Sequence, residues 1–351
     1  MANEEPLDLG PRAGPYMRLC FSEGGWHFPA SLVLGGAGTL ATLAVATHHV
    51  FHLQRAPISL LRNVYCLMMV YPCAWAISAS LTLFCPRSAL LSELIRGQSE
   101  AAALFWFLRI LFMIVSLESM KNANSNTDHV GPVILQSLNA DKEKPHFAVP
   151  PFFCCFAGVF PRHNFDARLL LRVVWLVRQF VVLQFCLSIF NLWATMAWPA
   201  KFGNDMKTVS AGILKVSGLT AVYGLFVMYK ATHNLLEHWH TTKKFVSIKC
   251  VIFISLLQSL CMRPLLQHVQ RPENHCLKDP KHPGNLDLVA EHYIATLLSV
   301  EAMAMAYLVR SAFPASELQD QALVHHMDVV EMSLAQIQEQ EGGNKQPLLD
   351  K

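Results

Sequence analysis

The run AAALFWFLRILFMIVSL, Ala101–Leu117, carries one charged side chain, Arg109, among aliphatic and aromatic neighbours. Six more apolar stretches accompany it: Ser31–Leu53, Leu61–Phe84, Leu176–Trp198, Val209–Tyr229, Phe245–Leu265 and Leu288–Ser311. Each approaches the length of helix that crosses a hydrocarbon core about 30 Å thick. In lipid a backbone must satisfy its own hydrogen bonds, so each stretch reads as a helix. The expected fold is an all-α membrane protein of seven transmembrane helices.

Composition agrees. Hydrophobic residues make up 53% of the chain and charged residues 15%, against about 25% charged in ordinary soluble domains. The formal net charge of +3 is too small to indicate a nucleic-acid partner. Met1–Gly14 has no basic segment leading into an apolar run, so a cleavable signal peptide is not expected. The expected layout is an N-terminal segment over 1–30, a seven-helix domain over 31–313 with a long loop at 118–172, and a tail over 314–351.

Loop charge hardly sets the orientation. With the N-terminus outside, Arg55, Arg62, Lys121, Lys243, Lys244 and Arg310 are among the inner basic residues, but Arg87, Arg96, Lys201, Lys207, Lys278 and Lys281 lie outside. In that orientation Cys85 and Cys276 share the outer side and are a candidate disulfide. Cys154 and Cys155, set among Pro and Phe in the inner loop, read either as S-acylation sites or as buried small apolar residues. Phe165–Arg178 reads either as an amphipathic helix at the headgroup level or as the basic flank of the fourth span. In the tail, Leu323, Met327, Val330, Leu334 and Ile337 form an apolar seam at helical spacing, placing an amphipathic helix over 318–338.

Charges within spans are the functional candidates, because each costs about 2.5–3.5 kcal/mol at the bilayer centre on insertion scales. The third span carries Glu100 at its start, Arg109 in its middle and Glu118 at its end. Neither carboxylate reaches Arg109 along one helix. Glu301, midway along the last span, matches it in depth and opposes it in sign, which suggests an Arg109–Glu301 pair. Lys215 in the fifth span is placed to snorkel outward. Gln184, Asn191 and Gln258 are polar groups suited to stitching helices or to touching a solute. No catalytic motif, phosphate-cradling loop or metal-ligand spacing is present, so no enzyme activity, cofactor or metal is expected.

Several segments then resemble one family in order. Lys244-Phe245-Val246-Ser247-Ile248-Lys249 followed by Gln258 resembles the entry to the sixth span of the organic solute transporter alpha family, including its transmembrane protein 184 relatives. Glu100-Ala101, Leu183-Gln184-Phe185-Cys186, and Glu301 followed by Ala306-Tyr307 and Ala312-Phe313 are similar to family segments in the same order. Cys154-Cys155 falls where the alpha branch has a longer cysteine cluster, and Glu118-Ser119-Met120-Lys121 resembles a turn there without its glycines. The likeness covers His48 to Phe313. Ile189-Phe190 stands where relatives carry Lys-Pro, which leaves the branch and the substrate open.

The resemblance implies an outside N-terminus, a cytosolic C-terminus and a place in the plasma membrane or an endosomal one. It implies facilitated movement of amphipathic organic anions such as bile acids and conjugated steroids, with a small single-span beta subunit as partner and self-association also open. Arg109 or Lys215 would offset the anionic head, and Glu118, Glu301, Gln184, Asn191, Lys249 and Gln258 complete the candidate pathway. The competing reading is a seven-helix receptor or scaffold that does not transport. The third span lacks the Asp/Glu-Arg-Tyr of G-protein-coupled receptors, and the last lacks Asn-Pro-x-x-Tyr.

Overall fold

The computed structural model describes residues 26–57, 59–85, 88–123, 167–198, 200–233, 236, 239–248 and 285–318. They form six long helices: α1 (His27–Gln54), α2 (Leu60–Phe84), α3 (Ala89–Ala123), α4 (Ala167–Ala197), α5 (Ala200–Thr232) and α6 (Asn285–Ala312). A 3-10 turn, Ala315–Leu318, follows α6. All six helices are long and apolar enough to cross a membrane, and no strand occurs among the described residues. The expected sixth span, Phe245–Leu265, is described only through Ile248, where 241–248 are helical.

Several boundaries depart from the sequence reading: α4 begins at Ala167 rather than Leu176, and α5 at Ala200 rather than Val209. The third span, expected as Ala101–Leu117, belongs to a helix of 35 residues, about 50 Å at 1.5 Å per residue. Polar residues in its first half hid it from a hydropathy reading, and neighbours satisfy them. Ser92 donates to the Ser78 carbonyl at 2.5 Å and accepts from Thr82 at 2.7 Å. Glu93 pairs with Lys207 at 2.8 Å. Glu100 therefore lies inside the span rather than opening it. The packed region also runs past Phe313: Leu318 is buried in the main core cluster.

α2 packs against α1, α3 and α6, while α3 carries the contacts on to α4 and α5. Close approach depends on small residues, as is usual between membrane helices. A Cβ on Gly38 of α1 would lie 3.0 Å from the Ser299 carbonyl of α6, and one on Gly35 would collide with Leu83 of α2. Beside them Thr39 Oγ1 meets Ser80 Oγ at 2.7 Å. α3 is the central helix, with 67% of its apolar window buried against 28% for α4. The outer face of α4 presents Leu171, Trp175, Val182, Phe185, Ile189 and Trp193, an apolar stripe suited to lipid. Where α4 meets α5, the rings of Phe190, Trp193, Trp198 and Phe202 pack in sequence, the amphipathic aromatic grouping that favours a membrane interface.

Candidate functional site

Among the described residues a buried polar cluster lies where α1, α3, α5 and α6 end and α2 begins. At its centre is Lys244, whose residue is 0% exposed. A lysine is almost never fully buried without a partner, and here the partners are specific. Lys244 Nζ contacts Glu317 Oε2 at 2.6 Å and donates to the Trp239 carbonyl at 2.7 Å. The rings of Tyr65, Phe313 and Trp239 stand 5.6, 5.8 and 5.9 Å from the ammonium, within cation–π range. The Tyr65 hydroxyl donates to Glu317 Oε2 at 2.8 Å. Burial pushes the Lys244 ammonium below its ordinary range, and the Glu317 carboxylate opposes that shift.

Local folding explains this convergence. The chain turns at 239–240, where His240 takes a φ of +50°, a left-handed conformation uncommon outside glycine. That turn lets the side chain of Lys244 reach back to the carbonyl of Trp239, five residues earlier. On the facing side, Pro314 follows the end of α6 and the chain closes into the turn that carries Glu317. His49 of α1 fixes this junction by donating from Nε2 to the Phe313 carbonyl at 3.0 Å. The acceptor is a carbonyl, so the proton sits on Nε2. Trp239 also reaches Glu118 of α3, its indole N–H donating to Oε2 at 3.5 Å, the weak end of hydrogen-bond geometry. One buried ion pair thus joins the end of α6, the start of α2 and the turn at 239–240.

The residues singled out from sequence scatter. Arg109 is half-buried on α3, its guanidinium 5.7 Å from the Trp106 ring. No ion pair joins it to Glu301. Tyr71 and Trp75 of α2 pack in one cluster with Ala103 of α3 and Ala302 of α6. Glu301 is half-buried on α6. Lys215 is exposed beside Val216 on the outer face of α5. Gln184 is buried where α4 meets α3: its side-chain amide donates to Ser188 Oγ at 3.0 Å, its backbone carbonyl accepts from the Gln98 side-chain amide at 3.2 Å, and a Cβ on Gly97 would strike its side chain. Asn191 keeps its side-chain oxygen buried without a hydrogen-bond partner. Cys85 is an exposed free thiol. Lys249, Gln258, Cys154, Cys155 and Cys276 lie outside the described residues, as does the tail helix expected from residue 319 on.

Sequence reasoning missed Glu317, Tyr65, Trp239 and His49 as site residues. Lys244 stood in the quoted sixth-span motif without a role. Glu317 fell in the tail beyond the last apolar stretch, where a charge needs no explanation.

A family model described as organic solute transporter Ostalpha matches residues 31–318. The chain belongs to the organic solute transporter alpha family. The matched region begins inside α1 and ends at Leu318, so the organic solute transporter alpha model takes in the Glu317 turn as well as the six long helices. No curated protein and no solved structure matches the chain. Membership implies movement of organic solutes in general, which suits a helical protein with six membrane-length apolar helices.

Proposed function

We propose that this chain is the membrane-spanning subunit of a transporter that moves amphipathic organic anions, such as bile acids and conjugated steroids, along their gradients. The observation that carries the reading is the family match over residues 31–318. The inner features of the bundle support it. A buried cation walled by aromatic rings has the chemistry that an anion with an apolar body needs. In this reading the protein works at the plasma membrane with a small single-span beta subunit, its N-terminus is outside, and Cys154 and Cys155 are acylated.

The test is uptake of a labelled steroid sulfate or bile acid into cells expressing the chain with and without a co-expressed beta subunit. Saturable flux above control cells is expected, at least with the beta subunit present. Absence of saturable flux in both cases would overturn the reading and leave a receptor or scaffold.

A further inference from the structure

Two donors converge on one oxygen of Glu317: Lys244 Nζ at 2.6 Å and the Tyr65 hydroxyl at 2.8 Å. The other carboxylate oxygen, Oε1, is buried with no hydrogen-bond partner. The Glu317 side chain is 13% exposed and that of Lys244 1%, so the pair is almost fully withdrawn from solvent, with the carboxylate-bearing side chain the less buried of the two. Glu317 belongs to a four-residue turn beyond the end of α6, so its side chain can swing off the cation without breaking a helical hydrogen bond of α6. We propose that Lys244 and Tyr65 form a binding site for the anionic head of an amphipathic solute, which Glu317 fills in the resting protein and vacates on binding. This rests on the reading of the chain as an organic-anion transporter subunit.

The chemistry of the exchange is balanced. A carboxylate or sulfate oxygen replaces Glu317 Oε2 on the same two donors, and no proton changes hands. The Tyr65, Trp239 and Phe313 rings within 6 Å of the ammonium stabilise its charge while the carboxylate is away. They also offer apolar faces to the body of the solute. The half-satisfied carboxylate favours exchange, because an arriving sulfate loses little to the group it displaces. Lys215 and Arg109 have no comparable arrangement: one is exposed on the outer face of α5 and the other lies over a single ring.

The experiment measures binding of a labelled steroid sulfate, and of the same steroid without its sulfate, to purified full-length protein and its variants. Glu317→Gln removes the resident competitor, so the sulfate should bind at least about tenfold tighter, because a site blocked part of the time has its apparent affinity reduced by that fraction. The unsulfated steroid should bind as it does to the wild type. The sulfate should also raise the melting temperature of Glu317→Gln more than that of the wild type. Should the single variant fail to fold, the neutral pair Lys244→Gln with Glu317→Gln keeps the packing. There the preference for sulfated over unsulfated steroid should fall at least about tenfold relative to the wild type. The proposal is overturned if Glu317→Gln binds the sulfate no tighter than the wild type, if the double variant keeps its preference, or if no form binds the sulfate. Binding that follows these expectations without any flux in cells would overturn the transport reading and leave the site standing.

Discussion

The molecule carries the same pairing at its two ends. Lys207 and Glu93 meet at 2.8 Å where α5 and α3 begin, and Lys244 and Glu317 meet at 2.6 Å where α3 and α6 end. The distances barely differ. The surroundings do: the side chains of the first pair are 38% and 50% exposed, those of the second 1% and 13%. An exposed pair is screened by water and loses side-chain entropy on forming, so it contributes about 0–1 kcal/mol. A buried pair has already lost its hydration, and removing one partner leaves an uncompensated charge. Contact distance therefore says little about the energetic weight of a pair; burial decides it.

Mutations at the two ends sharpen that contrast. Glu317→Gln leaves the Lys244 ammonium buried without its counter-charge and should destabilise the bundle by about 3–5 kcal/mol. The check is thermal unfolding of the purified protein without added anion, and a loss below about 1 kcal/mol would place this pair in the same class as the exposed one. Tyr65→Phe removes a hydrogen bond to the same carboxylate but keeps the ion pair. It should destabilise by about 1.5–3 kcal/mol, read in the same melts. Gly38→Val pushes a side chain against the Ser299 backbone, 3.0 Å from a Cβ at that site; overpacking of this kind costs about 1–3 kcal/mol. It would register as lowered yield and melting temperature, while the outward-facing Gly212, with nothing near its Cβ position, accepts Ala with a far smaller change. Least of all, Lys207→Ala should shift stability by no more than about 1 kcal/mol, and added salt should erase the difference.

The apolar architecture was legible because hydropathy and length suffice for it. The described residues of each apolar run from Ser31 to Ser311 are helical, apart from Trp198 at the end of the fourth. The third helix was read too short because Glu93, Arg96 and Glu100 interrupt the run; Lys207 from another helix makes Glu93 tolerable, and a pattern read along one helix cannot register that. The polar site was hardly legible. Lys244 and Glu317 are 73 residues apart, each beside the end of an apolar stretch, where a charge reads as an ordinary interfacial residue. Only the turn at 239–240 and the turn after Pro314 bring them together. Arg109 and Glu301 match in depth and sign, but depth is one coordinate of three, and no ion pair joins them; α2 packs against both of their helices.

The most direct measurement is a pair of double-mutant cycles on thermal stability, one over Lys244→Gln and Glu317→Gln and the other over Lys207→Gln and Glu93→Gln. The first should give a coupling energy of at least about 1.5 kcal/mol, with the double variant more stable than the sum of the singles implies. The second should give no more than about 0.5 kcal/mol. Equal couplings at the two ends would contradict the account.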